Sequence, residues 1–163
     1  TVVDTIKPVT TRLGKSSINV EGKSAFADAG ATAQDNYDGN ITANIVKTGT
    51  VNTNVLGTYT ITYNVSDSSG NAATPVTRSV TVVDTQKPVI TMKGKSVVTV
   101  RRNRQYVDAG ATANDAFEGN ITAKIVTTSK VNTSRNGTYT VKYNVKDGSG
   151  NAASQKVRYV IVY

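Results

Sequence analysis

The stretch DNYDGN at residues 35–40 gathers four oxygen-bearing side chains, Asp35, Asn36, Asp38 and Asn40. Carboxylate and amide oxygens are the hard ligands that calcium takes, which makes this turn the candidate metal site. The spacing is shorter than an EF-hand loop. A second stretch, DAFEGN at 115–120, keeps the frame but has Ala116 for Asn36 and Glu118 for Asp38, so the calcium reading favours the first. The same residues also suit an Asx-type turn in which Gly39 and Gly119 supply unusual backbone angles. A different chemistry is offered by Arg101, Arg102 and Arg104 in RRNRQY, because guanidinium forks match carboxylate and phosphate oxygens. Catalysis has little to draw on. The chain holds no His and no Cys, which closes the commonest acid–base and thiol routes. The recurring carboxylates Asp28, Asp35 and Asp67, with Asp108, Asp115 and Asp147, all sit in turn-like, Gly-rich contexts. No catalytic residue is assigned, and no cofactor beyond that calcium.

These stretches come in pairs because the chain repeats itself. Shifted by 80 positions and without a gap, about 46 of the first 80 residues are identical. TVVDTIKPV at residue 1 returns as TVVDTQKPV at residue 81. The 163 residues therefore divide into the tail of a preceding repeat (1–5), a first repeat (6–85) and a second (86–163). Repeats of this size can bury a working core without metals or disulfides. A further strand-rich repeat is expected ahead of Thr1. Cysteine absence excludes a disulfide framework, and no apolar run approaches the ~20 residues of a membrane helix.

The elements that position the candidate residues are strands. In GTYTITYNVSD, Tyr59, Ile61, Tyr63 and Val65 alternate with polar residues, and Tyr139, Val141, Tyr143 and Val145 repeat the pattern. DSSGNAA and DGSGNAA then turn the chain back into a hairpin partner. Short strands are also expected at Ile18–Val20 and around Ile45, Val46 and Val51, and Pro8 and Pro88 stand at the mouth of each first strand. About seven short strands per repeat predict a two-sheet β-sandwich. Tyr59 and Tyr139 occupy the place of a tyrosine corner, with the hydroxyl bonded to nearby backbone.

Charge and apolar surface separate the copies. Residues 1–80 carry six basic and six acidic side chains, and residues 81–163 carry thirteen and five, so the net charge of +8 lies in the second repeat. Such asymmetry points to an anionic partner. Lys124, Lys130, Arg135, Lys142, Lys146, Lys156 and Arg158 add to the arginine cluster. In the final strand, Ser79, Thr81 and Val83 become Tyr159, Ile161 and Tyr163, an outward row if Val160 and Val162 point inward. Arg101, Arg102, Arg104, Tyr159 and Tyr163 are the candidate ligand-binding residues.

The motifs DTxKPV, DAGATAxD, DGNIT, GTYTxxYNVxDxSGNAA and TVVDT, in that order, resemble the tandem Ig-like and HYR-like repeats of bacterial surface proteins. The resemblance implies two tandem Ig-like Greek-key sandwiches, and the short Pro-stiffened join between repeats suits a short rod. It also implies a secreted or cell-surface setting and a non-catalytic spacer or adhesion module. The partners to expect are neighbouring repeats of the same chain and an anionic cell-wall polymer, acidic glycan or surface protein. The alternative is a cell-wall or acidic-glycan targeting domain appended to a secreted enzyme or toxin. Nucleic acid fits less well, since no recognition helix or aromatic platform is evident. Lys7 with Asn64, and Lys87 with Asn144, are pairs of the kind that surface domains join by isopeptide bonds.

Overall fold

The structure, a computed structural model, describes residues 3–163. Two compact units divide the chain at Thr1–Asp84 and Thr85–Tyr163. Of the expected tail 1–5, Thr1 and Val2 lie outside the described residues.

Unit 1 contains β1 (Val9–Arg12), β2 (Ser17–Glu21), β3 (Ala31–Asp35), β4 (Gly39–Asn40), β5 (Val46–Thr48), β6 (Gly57–Asn64) and β7 (Val76–Val83). One sheet has the order β1-β3-β4 and the other β2-β7-β6-β5. Pairing is antiparallel except for β2, which runs parallel to β7. Unit 2 repeats the plan with β8 (Val89–Met92), β9 (Val97–Val100), β10 (Ala111–Asp115), β11 (Gly119–Asn120), β12 (Val126–Ser129), β13 (Gly137–Asn144) and β14 (Lys156–Val162). Its sheets are β8-β10-β11 and β9-β14-β13-β12. Among the described residues, seven strands in each unit form the expected two-sheet sandwich.

Alternation decides what is buried. Ile61, Tyr63 and Val65 are buried in unit 1, and Val141, Tyr143 and Val145 in unit 2. Across the hairpin Tyr59 faces Val80 and Ile61 faces Arg78, while Ala33 and Ile41 close the core from the smaller sheet's side. Each buried Val or Ile contributes roughly 1.5–3 kcal/mol over leaving it exposed. The tyrosine corner is present in both copies. Tyr59 Oη donates to the Val55 carbonyl at 2.9 Å and Tyr139 Oη to that of Arg135 at 3.0 Å.

The strand expected around Ile45–Val51 is shorter than its β-branched composition suggests. A 3-10 turn at Thr42–Asn44 precedes it, the Ile45 N–H bonds back to the Thr42 carbonyl, and pairing with β6 ends at Thr48. Gly49 then takes a left-handed backbone (φ +90°) that leaves the ladder.

Candidate functional site

In unit 2 the chain leaves β9 at Val100 and turns through Arg101–Arg104. The turn closes when the Arg104 N–H donates to the Arg101 carbonyl at 3.0 Å. Asn103 takes a left-handed backbone (φ 63°), which Asn accepts more readily than most residues. Two backbone bonds tie this turn to the final strand. The Arg102 N–H donates to the Tyr163 carbonyl at 2.6 Å, and the Tyr163 N–H to the Val100 carbonyl at 3.1 Å. Arg102 Nε also donates to the Ser134 carbonyl at 2.9 Å. The fold thus brings the arginine turn beside Tyr163, a proximity the sequence separation of about 60 residues does not reveal.

The terminal strand has the expected phase. Val160 and Val162 are buried, whereas Tyr159, Ile161 and Tyr163 are 47%, 37% and 58% exposed. On β9 the residues beside Tyr159 and Ile161 are Val97 and Thr99, and on β13 they are Thr140 and Thr138. The matching face of unit 1 holds Ser17, Asn19, Ser79 and Thr81, with the Thr58 and Thr81 hydroxyls 3.2 Å apart. One unit therefore presents a hydroxyl ladder where the other presents an apolar strip.

The basic surface needs one correction. Arg158, counted among the residues that add to the cationic surface, is 1% exposed. It occupies an inward position of β14 and pairs with Asp108. Its guanidinium also donates to the carbonyls of Lys93, Lys95 (2.9 Å) and Gly110 (3.4 Å) and lies 5.7 Å from the centre of the Tyr143 ring. Tyr143 and Tyr106 hydroxyls complete the network, donating to Asp108 at 2.5 and 2.7 Å. Unit 1 builds the same centre from Arg78, Asp28 and Tyr63. There Arg78 Nε lies 3.1 Å from Asp28 Oδ1, and Tyr63 Oη donates to that atom at 2.6 Å. Phe26 replaces Tyr106, and Lys47 stands 3.6 Å from Asp28 instead. Asp28 and Asp108, read from sequence as turn residues, are therefore core anchors. An arginine in phase with buried valines was the signal that could have shown it.

Electrostatics follow from that packing. Burial works to raise the Asp108 carboxyl, but hydrogen bonds from Tyr143 and Tyr106 and the Arg158 charge outweigh it and hold it below the usual carboxylate range. Asp28 is lowered in the same way, against its burial, by Tyr63, the Gly30 N–H, Arg78 and Lys47. Burial, reinforced by the bond to Asp108, raises the Tyr143 hydroxyl.

The DNYDGN turn is the Asx turn that its residues also suited. Asp35 Oδ1 accepts from the N–H groups of Tyr37 (2.8 Å) and Asp38 (2.9 Å), and Gly39 has φ +72°. Asp38 accepts from the Ser68 N–H at 2.6 Å and its hydroxyl at 2.8 Å, and Asn40 Oδ1 from the Thr42 N–H at 3.0 Å. Asn36 is exposed. The structure thus holds Asp38 and Asn40 by other partners, and it brings Asp35 beside Asp4 and Asp67. In unit 2, Glu118 bonds the Gly148 N–H and Lys124. The change from Asp38 to Glu118 is therefore matched by a change from Ser68 to Gly148, where an added Cβ would lie 2.5 Å from Glu118 Oε1. Lys7 and Lys87 are both exposed, and Asn144 Oδ1 accepts from Gln155 at 2.8 Å, so neither lysine is buried as the isopeptide pairing requires.

Among solved structures, similarity extends to CBM51-2 in complex with GlcNAc and the INT domains of Clostridium perfringens ZmpB (34% identity, TM-score 0.37, 47% of this chain and 16% of that one). It extends to the M60 catalytic domain of ZmpB with CBM51-1 and CBM51-2 (14%, TM-score 0.47, 98% and 31%). The lipoprotein BT2262 of Bacteroides thetaiotaomicron is also similar (15%, TM-score 0.44, 93% and 98%). The chain spans 16% and 31% of the length of the two ZmpB structures. No curated protein matches it. The family model of the bacterial surface protein Ig-like domain matches twice, over residues 10–82 and 90–162. With one match in each sandwich, the chain belongs to the Ig-like domain family of bacterial surface proteins.

Proposed function

We propose that this chain is a non-catalytic spacer and adhesion module of a secreted or surface-displayed bacterial protein. Unit 2 makes the contact, with an anionic cell-wall polymer or acidic glycan, through Arg101, Arg102, Arg104, Tyr159 and Tyr163. The observation that carries the reading is the juxtaposition of Tyr163 with the arginine turn through two backbone hydrogen bonds. Guanidinium groups supply attraction and forked hydrogen bonds to acidic oxygens. The exposed ring of Tyr163 beside them, with that of Tyr159 further along β14 opposite Val97, supplies flat apolar surface with a polar edge, the combination that dominates binding hot spots. Unit 1 has neither feature on the matching strands.

The test uses the whole chain against purified Gram-positive cell walls and against hyaluronate, at low and high salt. Binding should weaken steeply with salt, because exposed charges are screened. Changing Arg101, Arg102 and Arg104 together to Glu should abolish it. Tyr159→Ser with Tyr163→Val, which installs the residue types of the first repeat, should weaken it about tenfold or more, the ~1.4 kcal/mol scale of a modest hot spot. Salt-insensitive binding, or parent-like binding by both variants, would remove the contact surface and leave a spacer. Nucleic acid bound more tightly than either probe would replace the partner class.

A further inference from the structure

Three segments of unit 1 converge on one point. Asp4 lies on the segment that enters the unit ahead of β1, Asp35 opens the turn between β3 and β4, and Asp67 opens the turn between β6 and β7. One carboxylate oxygen of each lies within 4.8 Å of the others. One oxygen of each is held by backbone N–H groups. Asp4 Oδ1 accepts from the Ile6 N–H at 3.0 Å, Asp35 Oδ1 from those of Tyr37 and Asp38, and Asp67 Oδ1 from that of Asn71 at 2.7 Å. Asn71 joins the set from both sides, its amide donating to Asp67 Oδ2 at 2.8 Å and to the Asp4 carbonyl at 3.1 Å.

What remains points to a ligand. Asp35 is only 9% exposed, and its Oδ2 is buried with no hydrogen-bond partner. Asp4 Oδ2 is in the same state. Among the described residues, the ion pairs engage Asp28, Asp108 and Glu118 but none of these three carboxylates. A buried carboxylate oxygen without a donor is costly, and neighbouring negative charges add repulsion. A cation removes both penalties at once. Unit 2 repeats the anomaly: Asp115 is 1% exposed, its Oδ2 is buried and unpartnered, and it lies within the same reach of Asp147.

We propose that Asp4, Asp35 and Asp67 are the protein ligands of a calcium ion. All three donors are hard oxygens. Calcium accepts irregular oxygen cages of this kind, whereas magnesium demands near-octahedral geometry and gives up its water reluctantly. Water fills the remaining positions of calcium's six to eight. The ligands come from the entry segment and from turns that flank strands of both sheets, so the ion clamps the entering chain onto the sandwich. This set shares only Asp35 with the DNYDGN quartet, and it does not depend on the contact surface of unit 2.

The experiment is calcium titration of the EDTA-treated whole chain by calorimetry, with magnesium in parallel and hydrogen exchange read by mass spectrometry. Calcium should bind in the ~10⁻⁵–10⁻³ M range. It should protect amides around residues 33–42 and 65–73 and raise the melting temperature by several degrees. Asp4→Asn, whose side chain anchors only a local turn, and Asp35→Asn should each weaken this event at least tenfold. Asp38→Asn should leave it intact. No binding heat and no protection at ~10 mM calcium overturns the proposal. So does parent-like binding by both Asp4→Asn and Asp35→Asn. Equal affinity for magnesium overturns the choice of ion, and a loss on Asp38→Asn as large as on Asp35→Asn overturns the choice of ligands.

Discussion

Arg158→Met keeps the buried stem of the side chain and removes the guanidinium, with its charge and every N–H. Four acceptors lose a donor: Asp108 and the carbonyls of Lys93, Lys95 and Gly110. Breaking one side of a buried ion pair costs about 3–5 kcal/mol. Tyr143 and Tyr106 still donate to Asp108, which places the expected cost toward the lower end, about 3 kcal/mol. At ~0.05–0.15 kcal/mol per residue, a unit of this size has roughly 4–12 kcal/mol in all. The variant should therefore lose a quarter or more of unit 2's stability, and the urea midpoint followed by circular dichroism should fall. Hydrogen exchange should show faster opening of β13 and β14 with β6 and β7 unchanged. Asp108→Asn on the Arg158→Met background should cost less than it does alone, because the charge it removes is already unpaired. A loss below about 1 kcal/mol, or additive single and double variants, would refute the idea that this pair anchors the core.

The lowered carboxyls set the acid limit. A folded carboxyl that titrates below its unfolded value of ~3.9 adds stability that is complete above that value and is lost as pH falls through the folded one. Asp28 and Asp108 behave this way, and so do Asp67 and Asp147, where burial is outweighed by Asn71 or Asn151 and nearby backbone N–H groups. The raised Tyr143 hydroxyl acts oppositely, with a contribution complete below ~10 and lost as pH rises through its folded value. Melting temperatures should stay flat between about pH 5 and 9 and fall outside that window; a steep fall between pH 5 and 7 would contradict these assignments. Gly148→Ser should cost about 1–2 kcal/mol by displacing Glu118 from the Gly148 N–H, and Glu118→Asp in the same chain should restore most of it, since Asp38 with Ser68 is the geometry of unit 1. Thermal melts of the single and double variants check this, and a double variant no better than the single would sink it.

The strand plan was legible because alternation is a local property. Tyr59, Ile61, Tyr63 and Val65 announce their inward face without reference to anything distant, and the corner tyrosines bond only four residues back. What was hidden depends on partners far along the chain. Arg78 and Arg158 look like surface charge until Asp28 and Asp108 arrive from the loops before β3 and β10. Asp35 looks like a turn residue, and is one through Oδ1. That one of its oxygens lies within 4.8 Å of oxygens of Asp4 and Asp67 is set by how three separate segments pack. The outward phase of Tyr159 and Ile161 was readable, but the nearness of Tyr163 to the arginine turn required the parallel pairing of β9 with β14.

The exchange of Asp38 and Ser68 for Glu118 and Gly148 also bears on how two such similar sequences fold side by side. Tandem domains with high identity are prone to trading strands while both are still open. A hybrid sandwich seating the Glu118 turn against Ser68 would crowd a side chain into space that Gly148 leaves free. The reverse hybrid would set Asp38 against Gly148, which has no hydroxyl to offer it. Each turn fits its own hairpin better than its neighbour's, so the matched substitutions disfavour such hybrids.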